Sequence, residues 1–470
     1  MSVLSIIEEL REIKGKGSVE KKKAILTENY ENQDLKDFFY YSLDPQINYW
    51  QEKIKPAKLI NMFENPLPLF GNDGIMKLII DKLVSREITG NAAIALLGEF
   101  YTQLDEEDQQ LLEMIIKRKP DVGMGAKTIN DIWDHLIYDC AYMRCKGYNP
   151  KAIEKWDWSW VISQIKADGM FLNIIDGNNE FTIRSRSGEM NQNLISVCPE
   201  EIEAFKYIAD NINIPEPVFH GEAVVWCDGK PLNRSKSNGL INSIRTGESL
   251  PDGHYIKFSL WDVIPKINFD EHLKYPVQYK KRFQELENAI KKSHADGKSS
   301  NVELIEYKIV KNPAEIAEHF VSVLQRGLEG TVVKCADGVW AYHDSPSQLK
   351  VKNVFEIEMK VTGFKEGNGK YASTFGSMEI ESEDGKVISS ISGINDKLRN
   401  VIHENRDHYI DKVVTVKVNG VFQNDDGTYG LMHPRYSDIR EDRLEADSLE
   451  RILQQEQDAI YGTKLAKNMK

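Results

Sequence analysis

The chain reads as a multidomain protein: an all-α N-terminal domain, an α+β core in which antiparallel sheet predominates, and a C-terminal β-barrel. Three observations predict this. Helical periodicity runs almost unbroken through residues 1–145, short alternating runs separated by hairpin signals take over from Trp158, and strand-like runs joined by glycine turns follow Asn353. A length of 470 residues suits about three domains.

In the N-terminal part, "SVLSIIEELREI", "IMKLIIDKLVS", "NAAIALLGEFYTQL" and "EEDQQLLEMIIKRK" each repeat apolar residues at i, i+3, i+4 and i+7. Pro56, Pro66, Pro68, Gly71 and the "PDVGMGAKT" segment punctuate them. A polar connector, "KGYNPKAIEKWDW", leads into the core domain, placed at residues 146–354. There "WVISQIKADGMFLNIIDGNNEFTIRSRSG" alternates strand and turn, "PVFHGEAVVWCDGK" and "HYIKFSLWDVIP" continue the pattern, and "EGTVVKC" and "SQLKVKN" close it. Helices are expected at "VQYKKRFQELENAIKKS" and "NPAEIAEHFVSVLQRG". In residues 355–470, "FEIEMKVTGFKEG", "SMEIESEDGKVISSISG" and "KVVTVKVNGVFQNDDGTYGLMHPRY" suit a barrel of about five strands, for which an OB-fold is the natural candidate.

Composition narrows the function. The longest apolar runs, "MKLII" and "AAIALL", fall far short of the ~20 residues of a membrane helix. Glu8, Glu9 and Glu12 interrupt the N-terminal apolar stretch, which excludes an ordinary secretory signal. Cys140, Cys145, Cys198, Cys227 and Cys335 are odd in number and scattered, so neither a disulfide framework nor a zinc module is expected, and a cytoplasmic location is. The net charge of -13 is spread along the chain without a basic domain or tail. That rules out tail-driven nucleic-acid binding but leaves room for a shaped basic groove, because salt confines surface fields to about 8–10 Å.

The residues that carry chemistry form an ordered series. Lys166, in "QIKADG", stands at the end of an alternating strand, with Asp168 and Gly169 making the turn; alone it reads as an ordinary exposed turn lysine. Downstream come "SRSG" with Arg186, "HGEAVV" with Glu222, "FSLWDVIP" with Trp261, "LEGTVVK" with Glu329 and Lys334, and "LKVK" with Lys350 and Lys352. "HPRYSDIREDR" adds Arg435, Arg440, Asp442 and Arg443. A lysine nucleophile, two carboxylates, an aromatic and several cations suit attack on a nucleoside triphosphate, where cations hold phosphates and carboxylates hold Mg²⁺ or ribose. The bland alternatives are a core tryptophan at Trp261 and a solvated strand face at Lys350 and Lys352. Lys21–Lys23 read as a solvated helix face, and "SKSNGLINSIRTG" (Ser235 to Gly247), rich in Ser, Asn and Gly, as a mobile loop.

In this order the motifs resemble those of the covalent nucleotidyltransferase superfamily, and "REITGNAAIALL", "LWDVIP", "GLEGTVVK" and "IREDR" look like the ATP-dependent DNA ligases of T-even-type bacteriophages. The resemblance implies an ATP-dependent DNA ligase that seals 3'-OH/5'-phosphate nicks in duplex DNA, in replication, repair and recombination. It would act as a monomer in the cytoplasm, of the bacterial host if viral. ATP would leave AMP on Lys166, with Mg²⁺ (or Mn²⁺ in its place) held at Glu222 and Glu329. Gln164, Ile165, Arg186, Glu222, Trp261, Glu329, Lys350, Lys352, Arg440 and Arg443 would handle the nucleotide: Trp261 by stacking on adenine, Lys350 and Lys352 at the α-phosphate, Arg440 and Arg443 at pyrophosphate. Arg186 would meet the nucleotide or the phosphates of the nick. Residues 1–145 would grip the duplex, with Lys127 among the contacts, and the Ser235–Gly247 loop would lie against the nicked DNA. Two positions depart from the pattern: Phe171 replaces the arginine of KxDGxR, and Asp438 stands where many relatives carry a basic residue. The competing readings are an RNA ligase, a GTP-using capping-type enzyme and a catalytically silent nick-binding protein.

Overall fold

The computed structural model describes residues 2–465 apart from 16, 52, 58–65, 178–179, 343, 369–370 and 425–426. The chain is multidomain and α+β. It divides into two compact units, Met1–Cys140 with Ser187–Glu189, and Ala141–Arg186 with Met190–Lys470.

Regular structure in the first unit's described residues is helical. The periodic segments become the helices Val3–Glu12, Gly90–Thr102 and Glu106–Ile116, and "IMKLIIDKLVS" becomes a helix, Ile75–Ile79, that widens into a π-helical turn at Ile80–Val84. Ser2 and Asp105 cap two of these, each accepting a backbone N–H three residues on. The stripes meet in one core that includes Ile6, Leu10, Phe38, Phe39, Ile79, Leu97, Leu112 and Trp133. The solvated-face reading of Lys21–Lys23 holds for exposed Lys21 but needs correction at Lys22. Lys22 is buried with its ammonium on the Val122 carbonyl at 2.5 Å, and Lys23 pairs with Asp131 at 2.7 Å. Val122 lies in the loop between the helices Glu106–Ile116 and Ala126–Asn130, and its buried carbonyl takes the lysine as its donor.

The second unit carries the strands β1 (Arg144–Gly147), β2 (Val161–Ile165), β3 (Met170–Gly177), β4 (Glu180–Ser185), β5 (Pro217–Cys227), β6 (Lys230–Pro231), β7 (His254–Pro265), β8 (Val302–Leu304), β9 (Tyr307–Val310), β10 (Gly330–Cys335) and β11 (Asp344–Lys352). Two sheets result, with orders β1-β11-β10-β2-β9 and β4-β3-β5-β7-β8, and β6 pairs with β5. Only β1–β11 and β7–β8 run parallel among the described ladders. The tip of the β3–β4 hairpin, 178–179, lies outside the described residues.

Helices cover both faces of the first sheet, which explains why "WVISQI" is nearly all apolar. Val161 and Val333 pack with Ile316 and Phe320 of the helix Pro313–Gln325, whereas Ile162 packs with Tyr279 and Phe283 of the helix Tyr279–Ala295. That second helix also sends Leu286, Ala289 and Ile290 into the core of the other sheet, beside Leu172, Phe219 and Phe258. One helix therefore ties the two sheets together. Its anchor is Arg282, wholly buried, whose guanidinium grips Asp262 of β7 through two bonds of 2.8 Å and also donates to the Val277 and Gly338 carbonyls. Burial opposes ionisation of Asp262, but Arg282 holds its carboxyl below the usual range.

The loop expected at 235–247 is instead a helix, Arg234–Arg245, capped by the Asn233 side chain on the Lys236 N–H. Ser237, Ile241 and Ile244 face inward, and the Ser237 hydroxyl accepts the Val225 N–H at 2.9 Å. Serine, asparagine and glycine concealed this apolar spacing.

Beyond Asn353 come β12 (Phe355–Glu366), β13 (Phe375–Glu381), β14 (Ile388–Ile391), β15 (Val413–Val418), β16 (Gly420–Gln423), β17 (Tyr429–Met432) and β18 (Arg435–Arg440), with a helix at Asp396–Glu404 between β14 and β15. Five of them form the sheet β14-β13-β12-β15-β18, and β16 pairs with β17 alone. The expected five-strand barrel is seen here as a five-stranded sheet without a continuous closing ladder among the described residues. Its edge strands are joined through an isolated Ser392–Arg435 bridge, and the β16–β17 hairpin meets the β14 edge through an isolated Val387–Tyr429 bridge.

The Asp262–Arg282 pair yields the first prediction. Arg282→Leu leaves Asp262 ionised and buried, and should cost about 3–5 kcal/mol of stability in urea unfolding. A loss below about 1 kcal/mol would mean that the pair is not the tie between helix and sheet.

Candidate active site

Lys166 is the first residue past β2. The register sets Ile165 opposite Thr331 and Gly330 opposite Lys352, so the ends of β2, β10 and β11 lie side by side. The Lys166 N–H closes the row by donating to the Gly330 carbonyl at 2.8 Å. Glu329, one residue before β10, thereby sits between two lysines: one carboxylate oxygen accepts from Lys166 Nζ and the other from Lys352 Nζ. The Glu329 side chain is 1% exposed, against 22% for Lys166 and 25% for Lys352. Burial alone would raise its carboxyl, but the two ammonium groups hold it below the usual range. Gly330 has φ +148°, and a Cβ there would stand 2.3 Å from the Val351 carbonyl, so glycine is required at this strand entry.

The second sheet supplies the facing wall. Glu222 of β5 lies opposite Phe171 of β3 and accepts the Gly169 N–H at 3.0 Å, fixing the turn after Lys166. A side chain at Gly169 would meet the Ala223 carbonyl at 2.4 Å. Loss of water around Glu222 pushes its carboxyl up to about 7, with Lys166 and the Gly169 bond pulling the other way. Asp168 pairs with Arg234 at 3.1 Å.

Trp261, half-buried on β7, lies 5.6 Å from the Phe171 ring. Beneath it a polar knot fills the floor. The Tyr279 hydroxyl donates to the Trp261 carbonyl (2.7 Å) and accepts from Gln164 Nε2 (2.9 Å) and Lys334 Nζ (3.2 Å). Burial lowers Lys334 to about 8, with Asp262 opposing the shift. Ile165 packs against this floor. Arg186, just beyond β4, lies over the Tyr142 ring at 4.1 Å.

Lys350, exposed, and Lys352 line a cavity of about 1160 Å³ together with His433, Arg435 and Asn419. Burial and the neighbouring Lys352 keep His433 below the usual imidazole range. Arg440 and Arg443 do not join the lysines. Glu358 holds Arg440 at 2.5 Å and lies 4.0 Å from Arg443, while Asp442 accepts two further bonds from Arg440.

The structure thus gathers Lys166, Glu329 and Lys352, sets Glu222, Trp261 and Gln164 around them, and leaves the two C-terminal arginines elsewhere. Sequence reasoning gave no role to Lys334, although it stands in the same motif as Glu329. It also missed Arg234 and Tyr279, whose positions no local signal marks.

Among the described residues no group of three or more His, Cys, Asp or Glu side chains could enclose a metal. Glu222, desolvated and hydrogen-bonded to one backbone N–H, fits a hard cation that completes its shell with phosphate and water. Glu329 fits less well, since lysines occupy both its oxygens.

Residues 143–352 match the family model of the ATP dependent DNA ligase domain. The DNA ligases of Enterobacteria phages T4 and T6 are each 27% identical to this chain, across 95% of it and 98% of their own length. The solved structure named Pmar-Lig_Pre shares the fold, with a TM-score of 0.73 and 22% identity over 94% of this chain and 100% of that one.

The position of Glu222 predicts a pH-dependent stability. A carboxyl raised to about 7 in the folded state binds a proton more tightly than when unfolded, so it destabilises the fold as pH climbs from its ordinary value through 7. Glu222→Gln should raise the melting temperature at pH 8 and change it much less at pH 5. An equal shift at both would show that the carboxylate is well solvated.

Proposed function

The chain carries an ATP-dependent DNA ligase domain, and on that premise we propose that the whole protein seals 3'-OH/5'-phosphate nicks in duplex DNA through a lysyl-AMP intermediate and a 5'-adenylated strand. The observation that supports this most is the Lys166–Glu329–Lys352 row facing Glu222 and Trp261 across the cleft. An amine engaged with a carboxylate has no lone pair to offer, so Lys166 must leave Glu329 before it attacks. Its nitrogen then bonds to the α-phosphorus of ATP as the bond to the bridging oxygen breaks and pyrophosphate departs. An oxygen of the 5'-phosphate next takes AMP from the lysine. The 3'-hydroxyl finally attacks that phosphate and expels AMP. Each step is an in-line displacement, so catalysis comes from positioning and charge neutralisation.

Lys352, released with Lys166, and Lys350 would hold the α-phosphate. Trp261 would stack on adenine, with Gln164 and Ile165 bordering the base and Arg186 meeting the phosphates of the nick. Glu222 would hold Mg²⁺ (or Mn²⁺), which neutralises phosphate charge when bound, and Glu329 would join it only after giving up a lysine. We read residues 146–354 as the adenylation domain and residues 355–470 as an OB-type domain, a partly open barrel by nature. Its Arg440 and Arg443 would reach pyrophosphate once the domain swings over the cleft. Residues 1–145 would grip the duplex, and the helix Arg234–Arg245 would present Arg234 and Lys236 to it. No described helix is long and apolar enough to cross a membrane. We read the protein as a monomer, and its likeness to the DNA ligases of Enterobacteria phages supports action in the cytoplasm of a bacterial host.

Two expectations test this reading. Lys166→Ala should take no label from α-labelled ATP, while the native protein takes ATP far better than GTP; labelling of the variant at native yield would displace the nucleophile. Arg440→Ala and Arg443→Ala should slow self-adenylylation much more than sealing of DNA that already carries a 5'-adenylate. A parallel loss of both reactions would contradict the pyrophosphate role.

A further inference from the structure

We propose that Tyr142 is a positioning residue for Arg186, with Phe171 as its buttress, so that an arginine stacked on an aromatic row supplies the cation that Phe171 does not. The β3–β4 ladder pairs Leu172 with Ser185, which brings Arg186 level with Phe171 at the open end of the hairpin. Tyr142, two residues before β1, inserts its ring between them. The Arg186 guanidinium carbon lies 4.1 Å from the ring centre, and Phe171 meets the same ring edge-on at 4.9 Å and 76°. Phe171 is itself held on two sides, by Trp261 at 5.6 Å and by His220, stacked at 6.4 Å and 17°.

The geometry has a chemical consequence. A carboxylate partner would fix Arg186 by occupying its N–H donors and cancelling its charge. A ring face fixes the plane of the guanidinium and leaves the in-plane donors available for two phosphate oxygens. Burial pushes the Tyr142 hydroxyl up to about 12, so the ring beneath the cation stays neutral. Lysine could not substitute for Arg186, because an ammonium has no plane to set.

This inference rests on the reading that Arg186 meets the phosphates of the nick, and a double-mutant cycle separates the two. Sealing of 5'-adenylated nicked DNA is measured with the full chain, resolving kcat from KM, and thermal melts check that each variant folds. Arg186→Ala and Tyr142→Leu should each lower kcat/KM by about tenfold. The double variant should be no worse than Arg186→Ala, and Tyr142→Phe should stay within about twofold of the native protein. Arg186→Lys, which needs no change in the core, should lose nearly as much as Arg186→Ala. Additive losses in the double variant, equal damage by Tyr142→Phe and Tyr142→Leu, or native activity in Arg186→Lys would each overturn the positioning role. Native sealing by Arg186→Ala would overturn the reading beneath it, and the inference with it.

Discussion

Glu329 is a carboxylate whose side chain is 1% exposed, and the wall of the candidate site neutralises it. An unpaired charge at that depth would cost several kcal/mol. Two lysines remove the cost, but only because β2 and β11 flank β10 in a register that brings Lys166 and Lys352 to the same level. A slip of one residue in either ladder would turn a lysine to the opposite face and strand the carboxylate. The close approach at Gly330, where no Cβ fits, is the local price of that register. On the proposed mechanism the same interaction keeps the nucleophile idle: Lys166 is held by Glu329, the group from which it would have to part to react.

The opposite wall depends on a different kind of constraint. The Tyr279–Ala295 helix packs against both sheets, and its buried Arg282 binds Asp262 beside Trp261. From the first turn of that helix the Tyr279 hydroxyl reaches the Trp261 carbonyl, Gln164 and Lys334. The cleft floor is thus polar but satisfied, and its rigidity comes from hydrogen bonds made to one phenol. Above it, Phe171 belongs to an aromatic row, so the loss of an arginine at that position is a change of scaffold as much as a loss of charge.

On the proposed function the C-terminal arginines would be part of a site stored incomplete. Glu358 accepts from Arg440 and also accepts the Thr415 hydroxyl, so the arginine is neutralised within its own domain. Arg440 is partly exposed but Glu358 is buried, so a phosphate would have to compete with a desolvated carboxylate for the guanidinium.

Much of this protein could be read from its sequence alone. Periodicity in "NAAIALLGEFYTQL" or "WVISQI" is a local property, set by which face of a helix or strand must meet a core, and both segments fold as that pattern predicts. The ordered motifs likewise announce Lys166, Glu222, Trp261 and Glu329, since each is a short stretch in which chemistry and backbone are specified together. The sequence could not show that Glu329 binds two lysines at once, that Tyr279 and Lys334 fill the floor, or that Tyr142 lies beneath Arg186. It also concealed the helix at Arg234–Arg245 behind polar residues, although the Ile241 and Ile244 spacing was there. These contacts join residues far apart in the chain, so they are decided by strand register and by packing between sheets, which only the folded chain determines.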